Sequence, residues 1–187
     1  MNVLARCGVL LCAAGLAACA STGLRDAPTA TVPDFELQGR VLVKSQERGF
    51  SSAVRWQQRA GADELWLTAP LGQTIAHVQA DAQGATLTAA DQRRYQASSI
   101  ESLMRSALGW RFPVSGLRYW VRGEAAPHPG GQEVERDASQ RITRMREDDW
   151  QVTFVYGGNE SRRPSRVDAA SGDVEIRLVV DAYTELP

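Results

Sequence analysis

The order of apolar and polar side chains predicts a chain built mainly from strands. From Phe35 onward, apolar residues such as Leu37, Val41 and Val43 occupy alternate positions, and polar residues lie between them. A period of two is typical of a strand that buries one face. The same alternation, broken by hairpin residues, indicates further strands that start near residues 50, 65, 75, 85, 93, 141, 150, 165 and 174. The strand from Arg141 is the most polar, so we expect it at an edge of the sheet.

A helical period interrupts the strands between residues 98 and 123. Its first part begins with Ser98 and Glu101 at the spacing of a capping box and ends at Gly109. The apolar face of this helix is formed by Ile100, Leu103, Met104, Ala107 and Leu108. Pro113 then opens a second short helix that ends at Gly123. Its apolar side is formed by Val114, Leu117, Trp120 and Val121.

This order of elements indicates one mainly β domain of the α+β class. Because strands and helices do not alternate, we expect a strongly curved antiparallel sheet with the helices packed on its concave face. The length of 187 residues suits a single domain, and a net charge of −1 argues against a nucleic-acid partner. Cys7, Cys12 and Cys19 are all within the first nineteen residues, which excludes a disulfide framework or a thiolate metal site in the domain.

The first eighteen residues are predicted to be a lipoprotein signal peptide. Residues 1–6 carry positive charge, and residues 7–18 form an apolar run shorter than the ~20 residues that cross a membrane. The motif Leu16-Ala17-Ala18-Cys19 resembles a lipobox, in which the cysteine thiol takes a diacylglycerol. The alternative is an ordinary signal peptide with an incidental cysteine.

Residues 19–33 are predicted to form a flexible tether between a lipid on Cys19 and a domain at residues 34–187. They are small and polar, include proline and show no apolar period. Ala20 stands where an aspartate favours retention in the inner membrane. We therefore expect a lipid anchor in the outer membrane, with the domain facing the periplasm.

Few residues indicate an enzyme. The sequence contains none of the usual nucleotide-binding, zinc-protease or serine-hydrolase motifs. His77 and His128 stand alone and are interpreted as surface or satisfied side chains. The acidic run from Glu147 to Asp149 is compatible with a cation site, but we favour a solvated hairpin turn. We therefore expect no catalytic residue, no metal and no cofactor.

The residue pattern alone does not decide the role of two features. The apolar positions of the strands and of residues 108–114 form either an ordinary core or the wall of a ligand cavity, and periodicity alone favours the core. Leu71 lies between Pro70 and Gly72 at a predicted hairpin tip, where it cannot easily reach the core. Single exposed leucines are common, so this position means little by itself.

Seven segments match the pattern of a known family. Residues 108–114 read Leu-Gly-Trp-Arg-Phe-Pro-Val, and residues 117–123 read Leu-Arg-Tyr-Trp-Val-Arg-Gly. The other segments are Gln38-Gly39-Arg40, Trp56, Pro70-Leu71-Gly72, Asp149-Trp150 and Ile176-Arg177-Leu178. Together they resemble the LolB family of outer-membrane lipoproteins, which receive other lipoproteins and insert them. The chain departs from that family at Tyr183, where a tryptophan is expected, and in having no obvious amphipathic helix before Phe35.

The resemblance implies an unclosed antiparallel β-barrel capped by helices, with a hydrophobic cavity for acyl chains. It also implies that Leu71, between Pro70 and Gly72, enters the membrane during delivery. On this basis we expect the cavity to be lined by Leu37, Val41, Val43, Val54, Trp56, Leu65, Leu67, Ile75, Leu103, Leu108, Trp110, Trp120, Phe154, Ile176 and Leu178.

The resemblance also implies the partners. They are a LolA-like periplasmic carrier, the acyl chains of client lipoproteins and the inner leaflet of the outer membrane, with the chain acting as a monomer. One alternative is a structural outer-membrane lipoprotein that binds another envelope protein through its sheet without lipid transfer. A soluble carrier of the same fold would not need the lipobox, and a lipid-modifying enzyme would need a nucleophile and base that we do not find.

Overall fold

The computed structural model describes residues 32–46, 48–109, 111–127 and 132–187. The predicted signal peptide, Cys19, most of the tether, Trp110 and His128 lie outside the described residues. The strands are β1 (Phe35–Ser45), β2 (Arg48–Arg59), β3 (Ala62–Thr68), β4 (Thr74–Asp81), β5 (Gly84–Ala89), β6 (Arg94–Ala97), β7 (Glu133–Arg136), β8 (Ile142–Glu147), β9 (Trp150–Val155), β10 (Arg166–Ser171) and β11 (Val174–Glu185). The helices are α1 (Ile100–Leu108) and α2 (Val114–Trp120).

These eleven strands of the described residues form one antiparallel sheet. Their order is β6-β5-β4-β3-β2-β1-β11-β10-β9-β8-β7, so the first and last strands pair in the middle. The order ends at β6 on one side and at β7 on the other, and the sheet is therefore not closed. This confirms the predicted antiparallel, unclosed architecture.

The alternation read from the sequence decides which face of the sheet is buried. In β1, Phe35, Leu37, Val41 and Val43 are buried, and the charged residues between them reach the opposite face. Helix α1 packs against β5 and β6 and also contacts α2. The two helices therefore cover the apolar side of the sheet, as the pattern of periods predicted, and its other side remains polar.

The strand predicted from Arg141 is not at an edge of the sheet, and that prediction was wrong. It forms β8, which pairs with β9 on one side and with β7 on the other. The edge strand β7 contains a single apolar residue, the half-buried Val134, so its hydrophobic pattern is too weak to indicate a strand. Its place depends on pairing with β8, which is a tertiary contact.

The start of α1 also differs from the prediction by one residue. Ser99, not Ser98, is the N-cap, and its hydroxyl accepts a hydrogen bond of 3.2 Å from the Ser102 amide. The Glu101 carboxylate accepts instead from the Ser115 amide at 3.2 Å, which joins α1 to α2. Gly109 ends α1 with φ of 84°, as its position in the sequence predicted.

Gly39 lies where the register between β1 and β11 shifts. A Cβ at this position would overlap the carbonyl oxygen of Val179, so only glycine allows the two backbones to approach. The register shift leaves Asp181 unpaired in the ladder, and its carboxylate forms an ion pair of 3.0 Å with Arg40. The segment Gln38-Gly39-Arg40 thus has a structural explanation.

Candidate functional site

The buried face of the sheet and the two helices enclose a cavity of about 360 Å³. Among the described residues that line it, every side chain except Ser51 is apolar. The strands contribute Val41, Phe50, Ser51, Val54, Trp56, Leu65, Leu67, Ile75, Ala76, Val78, Leu87, Ile176 and Leu178. The helices and the segment between them contribute Met104, Phe112, Val114 and Leu117.

The cavity has a buried floor and a solvent-exposed rim. Val78 and Val114 are completely buried, whereas Ile75 is 39% exposed and Ser51 is also exposed. Ile75 is the second residue of β4, next to the tip of the β3–β4 hairpin, and Ser51 lies near the start of β2 at the same end of the sheet. The cavity therefore opens towards the end of the sheet that carries this hairpin.

The structure brings eight of the fifteen predicted cavity residues together around this space. They are Val41, Val54, Trp56, Leu65, Leu67, Ile75, Ile176 and Leu178. Five others are buried but do not line the cavity, namely Leu37, Val43, Leu103, Trp120 and Phe154. Trp110 lies outside the described residues, and only the backbone of Leu108, at the end of α1, is described.

Nine lining residues are absent from the sequence-based set. They are Phe50, Ser51, Ala76, Val78, Leu87, Met104, Phe112, Val114 and Leu117. Most of them fit the apolar patterns of the sequence. Val78 and Leu87 occupy buried alternate positions of β4 and β5, and Leu117 lies on the apolar side of α2. The alternation identifies these positions as inward, but it does not separate a cavity wall from a filled core.

Leu71 projects from the tip of the β3–β4 hairpin and is 90% exposed. The turn is closed by a hydrogen bond of 2.8 Å from the Gly72 amide to the Ala69 carbonyl, and Gly72 has φ of 83°. Pro70 and Gly72 thus hold a turn whose apolar side chain cannot fold back onto the sheet. Ile75, at the exposed rim, lies four residues farther along the same hairpin.

A buried carboxylate connects the cavity wall to α2. Asp63 Oδ1 accepts a hydrogen bond of 3.0 Å from Nε1 of Trp56 and one of 3.2 Å from Nε of Arg118. Arg118 Nη2 also pairs with Asp63 Oδ2. The Asp63 side chain is fully buried, and the Trp56 ring lines the cavity. We name these three residues the Asp63 cluster.

A second buried carboxylate corrects the interpretation of the acidic run at residues 147–149. Asp148 and Asp149 are exposed, but Glu147 is only 7% exposed and is not part of a solvated turn. Its Oε2 accepts hydrogen bonds from Trp120 Nε1 at 3.1 Å, from the Ala126 amide at 3.1 Å and from Gln132 Nε2 at 2.9 Å. We name these four residues the Glu147 cluster.

The polar face of the sheet carries ion pairs. Glu36 accepts hydrogen bonds from Arg55 and Gln57, and these lower the pKa of its carboxyl from 4.5 to about 2. His77 lies 2.7 Å from Glu64 and stacks on Trp66, which agrees with its interpretation as a satisfied side chain. The described residues contain no group of His, Cys, Asp and Glu that would hold a metal ion.

Tyr183 fills the position where the resemblance leads one to expect a tryptophan. Its ring stacks on Phe35 with a centroid distance of 5.3 Å, and the guanidinium of Arg163 lies over the Tyr183 ring at 4.5 Å from its centroid. Burial raises the pKa of its hydroxyl group. An aromatic ring therefore still covers the start of β1.

In the described part of the chain, neither helix has the length and hydrophobicity to cross a membrane. The unclosed antiparallel sheet, the covering helices and the apolar cavity define a half-barrel protein that can hold an apolar ligand. Residues 33–183 match the family model described as outer membrane lipoprotein LolB. The chain belongs to the LolB family and is, as predicted, an outer-membrane lipoprotein.

The similarity to relatives extends over most of the chain. The outer-membrane lipoprotein LolB of Azoarcus sp. (strain BH72) is 36% identical over 182 residues, which cover 93% of each chain. That of Nitrosomonas europaea is 35% identical over 153 residues, which cover 80% of this chain and 72% of the relative. A crystal structure described as an outer membrane lipoprotein-sorting protein domain from Vibrio parahaemolyticus shares the fold, with a TM-score of 0.51 and 13% identity over 83% of this chain and 86% of that chain.

Proposed function

We propose that this chain receives lipoproteins by binding their acyl chains in the cavity and inserts them into the outer membrane. The observation that carries the proposal is the apolar lining of an interior space that the protein's own side chains leave unfilled. Protein interiors are normally packed to a density of about 0.75, so a space of this size is unusual in a simple core. Such a space suits a guest with hydrocarbon chains.

The chemistry of a lipoprotein explains why a protein must carry it. Three acyl chains hold roughly 45 methylenes, and their exposure to water costs on the order of 35 kcal/mol at about 0.8 kcal/mol for each methylene. Free diffusion through the periplasm is therefore negligible. The cavity of about 360 Å³ is at the lower end of the roughly 300–1,000 Å³ that ligand pockets span, so it holds only part of three acyl chains unless the covering helices move.

Delivery of the lipoprotein to the membrane depends on the exposed β3–β4 hairpin. Leu71 stands at the same end of the sheet as the rim of the cavity, and Pro70 and Gly72 hold it away from the domain. Transfer of one leucine side chain into the leaflet contributes about 1.5–3 kcal/mol. Its insertion therefore places the rim against the membrane without anchoring the domain there permanently.

The proposed partner on the periplasmic side is a LolA-like carrier that passes the lipoprotein to this chain. No covalent step is needed if the cavity binds acyl chains more tightly than the carrier and less tightly than the bilayer. We assign the lipid anchor to Cys19 and propose that the domain acts as a monomer at the end of its tether. Residues 19–33 span up to about 50 Å when extended at about 3.3 Å per residue, which lets the hairpin reach the membrane.

The decisive experiment follows a lipoprotein through both steps. A Cys19→Ala form of the full chain is mixed with a complex of the carrier and a lipoprotein, and then liposomes are added. We expect the lipoprotein to change partner in the first step and to appear in the liposome fraction in the second. Failure to take the lipoprotein from a loaded carrier would overturn the proposal in favour of a structural role.

Leu71→Glu separates delivery from acceptance. The variant should accept the lipoprotein normally and lose most of its delivery to liposomes, because a carboxylate does not enter the leaflet. Ala82→Glu is the matched control, since it adds the same charge at an exposed turn at the other end of β4. Equal delivery by Leu71→Glu and Ala82→Glu would remove the role assigned to Leu71.

A further inference from the structure

Helix α2 carries two polar contacts on opposite flanks. Arg118 and Trp120 are two residues apart, which corresponds to about 200° around the axis of an α-helix. Arg118 binds Asp63, and Trp120 binds Glu147. Val114 is between these flanks and lines the cavity, as Leu117 does. The apolar side of α2 therefore faces the cavity while its two flanks are held separately.

The two contacts are on distant strands of the same sheet. Asp63 belongs to β3 and Glu147 belongs to β8. Five strands, β2, β1, β11, β10 and β9, lie between them in the sheet. Helix α2 is therefore hydrogen-bonded to β3 on one side of the sheet and to β8 on the other. Any widening of the cavity beneath α2 has to break one of the two contacts.

The two contacts differ in their exposure to the cavity. Trp56 of the Asp63 cluster lines the cavity, and the Arg118 side chain is 24% exposed. In the Glu147 cluster, Trp120 is 1% exposed and does not line the cavity. Glu147 also receives donors from three separate parts of the chain. A guest therefore touches the Asp63 cluster and leaves the Glu147 cluster covered.

We propose that the Asp63–Arg118 pair is a releasable contact that limits the width of the cavity, and that α2 turns about the Glu147 cluster when an acyl chain enters. This inference rests on the proposed function, because it assumes an acyl guest. Displacement of the Trp56 ring by the guest removes one of the three hydrogen bonds that hold the Asp63 carboxylate in place, so that the carboxylate is free to shift away from Arg118. Asp63 and Arg118 are then positioning residues that set how much lipid the cavity admits.

Substitutions that remove the Asp63–Arg118 pair should change the affinity for a guest in an unusual direction. If the pair favours a narrow state, the apparent affinity for a guest is reduced by the small fraction of open molecules. Removing the pair should therefore strengthen binding. A purely structural role would have the opposite result, because a loosened or misfolded cavity binds its guest more weakly.

The test uses the full chain with Cys19→Ala and the fluorescent probe 11-(dansylamino)undecanoic acid, with palmitate as the competitor. Asp63→Asn combined with Arg118→Gln removes both charges, so that no buried charge is left unpaired. We expect this double variant to bind the probe about 5- to 10-fold more tightly than its parent. Arg105→Gln makes the same change at an exposed position of α1 and should stay within about twofold of the parent.

Hydrogen exchange locates the movement. Loading the parent chain with palmitate should speed the exchange of the α2 amides and of β3 near Asp63, and should leave β8 near Glu147 protected. Unchanged protection of α2 on loading, or equal affinities for the double variant and Arg105→Gln, would overturn this inference alone. A parent chain that binds neither the probe nor palmitate would overturn the proposed function as well.

Discussion

Trp120 donates a hydrogen bond of 3.1 Å from its indole Nε1 to Oε2 of Glu147, and both side chains are buried. The contact joins α2 to β8 across 27 residues of sequence. The same carboxylate oxygen accepts hydrogen bonds from the Ala126 amide and the Gln132 side chain. One buried acid therefore holds three separate parts of the chain together.

Glu147→Leu should lower the free energy of unfolding by about 2–4 kcal/mol, because the buried Trp120 indole and the half-buried Ala126 amide and Gln132 side chain lose their acceptor. Urea unfolding followed by circular dichroism measures this loss. Asp149→Ala, two residues away and exposed, should change the free energy of unfolding by less than about 0.5 kcal/mol. Similar losses in both variants would show that Glu147 is not the residue that organises this region.

Gly39→Ala should also destabilise the domain, by about 2–4 kcal/mol, because a Cβ would overlap the Val179 carbonyl oxygen and force the central strands apart. Thermal and urea unfolding both report the effect. The control is Gly158→Ala, since a Cβ at Gly158 meets no atom within 4 Å. A stable Gly39→Ala protein would mean that β1 and β11 tolerate a wider separation.

Ala76→Phe should fill part of the cavity and weaken binding of an acyl probe by about tenfold, which corresponds to about 1.4 kcal/mol of binding free energy. Ala76 lines the cavity, whereas Ala53 lies exposed on the other face of the sheet. Ala53→Phe makes the same change there and should leave probe binding unaltered. Fluorescence titration of both variants checks the position of the binding space, and full affinity in Ala76→Phe would place it elsewhere.

Glu36 should contribute to stability in a defined pH range. Hydrogen bonds from Arg55 and Gln57 lower its pKa in the folded protein from 4.5 to about 2. Because the folded state holds the proton less tightly than the unfolded state, the contribution is complete above about pH 4.5 and is lost as the pH falls towards 2. An NMR titration of the Glu36 carboxyl group measures this pKa directly.

Glu36→Gln should therefore flatten the dependence of stability on pH between about 4.5 and 2 relative to the parent chain. Glu175→Gln is the control, since Glu175 is exposed on the neighbouring central strand β11, whereas Glu36 is half-buried. If both variants keep the slope of the parent, the ion pair with Arg55 does not contribute to stability in solution.

Much of the fold could be predicted because local patterns reflect it directly. The alternation from Phe35 onward gives the correct buried face of β1, and the spacing from Ile100 to Gly109 gives α1. The weak strand β7 and the exact cap of α1 were missed, because pairing with β8 and hydrogen bonding at Ser99 decide them. Neither contact leaves a period in the sequence.

The sequence by itself determined the mainly β architecture, the inward-facing positions and the family pattern around residues 108–123. Only the tertiary structure decided that Trp56 lines a cavity while Phe154 belongs to the filled core. It also decided that Asp63 meets Arg118 across 55 residues and that Glu147 is buried. The physical reason is that a period records which side of a strand faces inward, whereas the space opposite that side depends on elements brought there by folding.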